Sequence, residues 1–446
     1  MAGDFDVQPL GTVAKVRSGY AFKSDDMGAV GLPVIKIKNV VPPTVDITDC
    51  ERVPEEVISS IPRVERFELK EGDTLIAMTG ATVGKVGKFP RTHERHFLNQ
   101  RVGKVYLTEP DAADYRYIYY ILSQDTYVRQ MFGIADGSAQ ANISGSQIES
   151  LEVPLPPLVE QKAIAAVLGA LDDKIELNRR MNATLEALAR ALFQSWFVDF
   201  DPVRAKLDGR PPAALDPATA ALFPEHLEDS PLGHIPKGWT AQRLPDAIEV
   251  NPRRTLKGGT IAPYLDMKNL PTQGHSAEEV IDREFSSGTK FQNGDTLLAR
   301  ITPCLENGKT GYVDFLEDGQ VGWGSTEYIV LAPKPPLPPQ FGYLLARSDA
   351  LRTHAIQNMT GTSGRQRVPS ECFHNFWLAV PPPDIARRFN ELTAPLMAKI
   401  KANSTESRTL ATLRDTLLPK LLSGELSVAA TVAKSATVQT GKETRP

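Results

Sequence analysis

From Ile164 to Trp196, residues recur at alternating spacings of four and three, through Leu168, Leu171, Ile175, Asn178, Asn182, Leu185, Ala189 and Leu192. The pattern returns 225 positions later as Phe389, Thr393, Leu396, Ile400, Asn403, Ser407, Leu410, Arg414, Leu417 and Leu421. A seam held over about five heptads specifies a helix that pairs along its length with another helix. At ~1.5 Å rise per residue, each predicted helix is roughly 50–60 Å long. Both stripes are broken at matching heights by polar residues, Asn178 and Asn182 in one, Asn403 and Ser407 in the other. Buried Asn in a seam fixes register and orientation, so the two helices are expected to pair with each other. An antiparallel pairing brings Asn178 opposite Ser407 and Asn182 opposite Asn403.

The helices are one layer of a tandem duplication. The hexapeptide "GDTLIA" (72–77) is matched by "GDTLLA" (294–299), "PVIKIKNV" (33–40) by "PYLDMKNL" (263–270), and "LEVPLPP" (151–157) by "LAVPPP" (378–383). Order is kept while the offset drifts, which is what loop insertions and deletions do to two old copies. Short runs rich in Val, Ile and Thr, bounded by Gly, Asp and Pro, read as strands. One amphipathic helix interrupts them in each copy, "DYRYIYYILSQDTYVRQMFG" and "PQFGYLLARSDALRTHAIQ". The fold expected is therefore mixed α/β. Domains are placed at 1–157 and 235–383, and the long helices at 158–200 and 384–426. A Pro-, Asp- and Gly-rich loop-like linker covers 201–234, and 427–446, without periodicity or bulky residues, reads as a disordered tail.

Chemistry-bearing motifs fail one by one. "TGATVGKVG" (79–87) has only three residues between Gly80 and Gly84, and Val86 follows Lys85 where a phosphate loop needs Ser or Thr. "TPCLENGKTG" (302–311) has Gly308-Lys309-Thr310 but Pro303 in place of the first glycine. Asp266 in "PYLDMK" lacks an upstream carboxylate partner, and its counterpart is Lys36. Three scattered cysteines, Cys50, Cys304 and Cys372, give no metal or disulfide spacing, so no metal site and reduced thiols are expected. The start "MAGDFDVQPL" has no basic region followed by an apolar run, and no stretch approaches the ~20 apolar residues of a membrane span. The formal net charge of −4 means that any nucleic-acid surface must be a local patch on a near-neutral body. The chain reads as non-catalytic.

Taken together, the chain resembles the specificity subunits of type I restriction–modification systems. The resemblance rests on the alternation of two variable domains with two long helices. It rests also on the phrases "GSAQANISGSQIESLEVPLPPLVEQKAIAAVLGALDDKIELN", "LFQSWFVDFDPVRAK", "FPEHLEDSPLGHIPKGW" and "LLPKLLSGEL". The second copy departs from the pattern where Glu160-Gln161 is replaced by Ile385-Ala386. The resemblance implies target-recognition domains that each read half of a split double-stranded DNA site, with a coiled coil setting the gap. It implies two methyltransferase subunits on the scaffold and added restriction/translocase subunits, in the cytoplasm of a bacterium or archaeon. S-adenosylmethionine, ATP and magnesium would be used by those partners, with no cofactor in this chain.

Base edges are read by Arg, Lys, Asn and Gln, and phosphates by Lys, Arg, Ser and Thr. On that ground the first-half candidates are Lys36, Lys38, Asn39, Thr79, Thr82, Lys85, Ser138, Gln140 and Asn142. Those in the second half are Lys268, Asn269, Arg300, Thr302, Lys309, Arg365, Gln366 and Arg367, with the Gly-rich "TGTSGRQRVPS" (360–370) foremost. Two rival readings remain: a structural coiled-coil interaction protein, or a fused DNA methyltransferase or nuclease. The first leaves the two divergent α/β domains unexplained, and the second needs a motif the sequence lacks.

Overall fold

The computed structural model describes residues 5–135, 141–362 and 364–428. The described chain divides into two compact units. One is built from residues up to Lys174 together with those from Leu410 onward, and the other from Ile175–Thr409.

Each unit is organised on its copy of the repeated hexapeptide. Thr74–Ala77 and Thr296–Ala299 are strands buried along their whole length, as continuous apolar runs flanked by turn residues should be. The turn before each is the same. Gly72 and Gly294 adopt φ of +85° and +91°, a left-handed backbone that glycine accepts without strain. The following carboxylates, Asp73 and Asp295, accept from the backbone N–H of Lys70 and Gln292, each at 2.8 Å. In the first unit the central strand pairs antiparallel with Val102–Leu107 on one side and Val86–Lys88 on the other, and Ala14–Ser18 lies beyond Val102–Leu107. In the second unit the order is the same, through Tyr328–Pro333, Thr310–Tyr312 and Ile248–Val250. A smaller sheet repeats as well. Leu32–Ile35 runs parallel to Phe97–Leu98 and antiparallel to Glu51–Val53, and Ile261–Leu265 runs parallel to Gly322–Gly324 and antiparallel to Ile281–Glu284.

The helix expected within each domain is two helices. Tyr115–Leu122 stops at Ser123 and Asp125–Ala135 follows; Pro339–Ala346 stops before Ser348, and Asp349–Gln357 begins there. The Ser348 hydroxyl accepts from the Leu351 N–H and so caps a new start, a role for which serine is better suited than for a helix interior. Residues 201–234 also differ from the loop-like reading. They form helices Asp201–Leu207 and Pro217–Leu222 and the hairpin Leu227–Ser230/Gly233–Pro236. Val203, Phe223 and Ile235 join the buried cluster around Trp196, so a few well-placed apolar residues order a segment whose composition suggests a linker.

Two 40-residue helices, α1 (Leu158–Phe197) and α2 (Pro383–Leu422), each contribute one half to each unit. Within the second unit they run antiparallel: Trp196 and Phe197 pack on Phe389, while Asn178 meets Asn403. The polar layer is hydrogen-bonded from one helix to the other. Asn178 Nδ2 donates to Ser407 Oγ at 3.3 Å and to Glu406 Oε2 at 2.8 Å, and Asn403 Nδ2 donates to Asn182 Oδ1 at 2.9 Å. Within the first unit Ile164, Ala165 and Leu168 pack in one cluster with Leu417, Leu418, Leu421 and Leu422. Here the helices are tied by Arg414 Nη1 donating to Asp172 Oδ1 at 2.9 Å. Val428, at the start of the stretch read as a tail, is buried against this cluster; residues 429–446 lie outside the described part.

The departure at the two helix starts has a structural meaning. Gln161 is fully buried and its amide donates to the carbonyls of Ala112 and Pro156, while Glu160 accepts from the Val428 N–H. At the equivalent place in α2, Ile385 and Ala386 are buried, so docking there is apolar. Among the described residues no helix is long and apolar enough to cross a membrane, and no group of three or more His, Cys, Asp or Glu could hold a metal ion.

Candidate nucleic-acid interface

The chain leaving the central strand meets the loop that precedes the last strand of its domain, and it does so identically in both units. In the first, Gly80 N–H donates to Ala141 O at 2.8 Å and Ile143 N–H to Met78 O at 2.9 Å. In the second, Thr302 N–H donates to Gln366 O at 3.1 Å and Val368 N–H to Arg300 O at 2.8 Å. This pairing makes Asn142 the counterpart of Arg367, and Thr79 of Ile301, each pair forming a short antiparallel bridge. A third segment joins them, the turn after the first strand of the smaller sheet. A Cβ on Gly80 would stand 4.0 Å from Ile37 Cδ1. In the second unit Lys309 Nζ donates to the carbonyls of Met267, Lys268 and Leu270 at 2.7, 2.8 and 3.0 Å.

Most of the sequence-derived candidates therefore lie in two clusters, one per unit: 36–39, 79–85 and Asn142, and 268–269, 300–309 and 365–367. Ser138 and Gln140 lie outside the described residues. Several of the rest are committed to holding the loops. Asn39 is 2% exposed; its amide donates to Asp46 O and Asp49 O, and its oxygen accepts from Lys36 N–H. Asn269 stands in a mirror arrangement, with its N–H donated to Asp266 Oδ1 at 2.8 Å, which gives Asp266 a turn-capping role instead of a catalytic one. Thr79, also 2% exposed, donates to Asn142 Oδ1 at 2.8 Å, and Thr82 donates to Thr79 O. Thr302 Oγ1 accepts from Gln366 N–H at 3.0 Å.

The cations divide into three sorts. Lys309 clamps carbonyls, and Arg300 is partly buried, with Nε lacking a hydrogen-bond partner among the described residues. Lys36 is paired with Glu51 at 2.6 Å, Lys38 with Asp49 at 3.0 Å and Arg367 with Glu327 at 2.7 Å. Hydrogen bonds to Asp49 and to Glu327 raise the pKa values of Lys38 and Arg367, so both stay charged. Lys85, Lys268 and Arg365 are exposed with no ion-pair partner among the described residues.

One residue of the cluster escapes reading from the sequence. Arg101 is exposed, and its carbonyl accepts from Met78 N–H at 3.0 Å, just as the carbonyl of Glu327 accepts from Arg300 N–H. "LNQRVG" and "GSTEYI" share almost nothing, so the equivalence of Arg101 and Glu327 emerges only from the backbone pairing.

The chain's likenesses to known proteins agree with this architecture. Residues 3–187 match the model of the type I restriction modification DNA specificity domain. The specificity subunit of the type I restriction enzyme MjaIX of Methanocaldococcus jannaschii is 25% identical over 370 residues, covering 80% of this chain and 78% of that one. The HindI specificity subunit of Haemophilus influenzae is 23% identical, covering 83% of this chain and 90% of the other. Among solved structures, the type I system S subunit from M. genitalium covers 94% of this chain and 96% of its own, at a TM-score of 0.53 and 16% identity, a likeness of fold.

Proposed function

We propose that this chain is a specificity subunit of a type I restriction–modification system, the family its matches point to, and that it reads a bipartite DNA target, one half with each clustered loop surface. The observation that carries this reading is the duplication of the cluster. One backbone frame is built twice in a single chain, yet side chains at equivalent places on it differ: Asn142 against Arg367, and Arg101 against Glu327. Conserving the frame while exchanging hydrogen-bonding side chains is what reading two different short sequences requires.

The chain works in assembly with other subunits and with DNA, and supplies specificity while catalysis resides elsewhere in the complex. The finer composition, two methyltransferase subunits and added restriction/translocase subunits, belongs to the proposal, as does a cytoplasmic location. So does the expectation that S-adenosylmethionine, ATP and magnesium serve the partners and not this chain. The paired helices are proposed to set the gap between the half-sites and to dock the methyltransferase subunits. Tethering two readers raises the effective concentration of the second without new contacts.

The test is binding-site selection from randomised duplex DNA by the full-length chain, co-expressed with its methyltransferase partners. Two enriched sequences separated by a fixed unspecified gap support the reading. A single continuous motif, or none, refutes it.

A further inference from the structure

Glu327 takes the Arg367 guanidinium side-on. Arg367 Nε donates to Oε1 at 2.9 Å and to Oε2 at 3.0 Å, and Nη2 donates to Oε1 at 2.7 Å. A guanidinium carries five N–H donors in a fixed plane. This contact uses Nε–H and one N–H of Nη2, which leaves the end-on fork, the parallel donors of Nη1 and Nη2, without another partner among the described residues. The Arg367 side chain remains 45% exposed and that of Glu327 24%.

Both residues stand on fixed backbone. Arg300 N–H donates to Glu327 O at 3.0 Å, and Arg300 O accepts from Val368 N–H at 2.8 Å, so one residue holds both strands of the frame. Arg367 also exchanges two backbone hydrogen bonds with Thr360, at 2.8 and 2.9 Å. The first unit builds the same frame with Arg101 and Asn142 in these places and no ion pair, so the frame does not require the carboxylate. An anion on a DNA-facing loop also repels phosphate, which makes its presence here a cost unless it does something for Arg367.

We propose that Glu327 is a positioning residue for DNA reading, holding the Arg367 guanidinium so that its end-on fork meets a pair of adjacent acceptors on a base edge in the major groove. Of the four bases, guanine offers that pair in O6 and N7. The inference rests on the DNA-specificity reading above and adds to it the residue that fixes the donor and the class of base edge read.

The test compares wild type, E327Q and R367K as full-length chains in complex with the methyltransferase subunits. The probes are a duplex carrying the sequence selected by wild type and a scrambled duplex. Positioning predicts that both variants lose about 10-fold or more of the preference for the selected duplex, centred on one G·C pair, while affinity for the scrambled duplex is kept or, in E327Q, rises. Rescue belongs to the carboxylate: E327D retains more of the preference than E327Q. Unchanged preference in E327Q overturns the proposal and leaves the reading of function intact. An equal loss on both duplexes overturns it in favour of a phosphate contact or a purely structural pair. Absence of any selected sequence for wild type removes the functional reading and this inference together.

Discussion

Replacing Asp172 by Asn removes a carboxylate that ties the first α/β domain to both long helices within the first unit. Asp172 Oδ2 accepts from Tyr120 Oη at 2.6 Å and from Lys88 Nζ at 3.2 Å, and Oδ1 accepts from Arg414 Nη1 at 2.9 Å. The side chains of Asp172, Arg414 and Lys88 are 14%, 20% and 28% exposed, so solvent screens them only in part. Hydrogen bonds to charged groups contribute about 1.5–3 kcal/mol each. Asn keeps one acceptor oxygen and loses two charge-assisted contacts, while the desolvation cost of the carboxylate also disappears. The net loss works out at about 2–4 kcal/mol, which for a body of this size lowers Tm by roughly 5–15 °C. Differential scanning calorimetry of the full chain measures it.

The pH dependence sharpens the test. Burial alone would raise the Asp172 pKa, but Lys88, Tyr120 and Arg414 outweigh it and hold the carboxyl below its ordinary value of about 3.9. A group depressed in the folded state gives stability that is present above its unfolded pKa and lost as pH falls through its folded pKa. The gap in Tm between wild type and D172N should therefore be constant above about pH 5 and narrow progressively as pH falls below about 4. A shift smaller than about 1 °C at neutral pH, or a gap that does not narrow in acid, refutes the reasoning.

Other consequences follow from the same contacts. Arg365→Ala should weaken recognition of one half-site while the chain still assembles with its partners; unchanged affinity for both half-sites in a binding titration would remove this exposed side chain from the DNA surface. Asn403→Leu leaves Asn182 Oδ1 without its 2.9 Å donor in a seam and should cost about 1–3 kcal/mol in urea unfolding, with no cost arguing that the polar layer is solvated. Inserting four residues, about one helical turn, beside Asn178 in α1 and beside Ser407 in α2 should change the tolerated gap between half-sites, and an unchanged gap would remove the spacer role from the helices.

The parts of the fold legible in the sequence are those with a strong local period or a repeated phrase. The seam from Ile164 to Trp196 recurs with the same spacing in α2, and every one of its positions in both helices is buried or half-buried. The hexapeptide is legible because its turn needs glycine at positive φ and a carboxylate to cap Lys70 or Gln292. Residues 201–234 were illegible because order there comes from a few apolar side chains, Val203 and Phe223 among them, packing into the cluster around Trp196, against a composition typical of linkers.

The candidate interface was half legible. Residue type brought forward segments 79–85 and 300–309, which the backbone pairing sets at equivalent places in the two units, but it cannot say which cation meets an anion. Glu51 lies 15 residues from Lys36, and Glu327 lies 40 residues from Arg367. Nor can it show that the Lys309 amine is spent on three carbonyls or the Asn39 amide on two. Arg101 stayed hidden for the complementary reason, since only the hydrogen bond from Met78 N–H places it at the cluster.

The central claim is that one chain specifies two DNA half-sites through two copies of one frame. Single-molecule methylation mapping of the host genome, with this gene present and deleted, tests it most directly. The account predicts adenine methylation at a bipartite motif with a fixed gap that vanishes on deletion and returns on complementation. Methylation unchanged by the deletion, or confined to one uninterrupted motif, contradicts it.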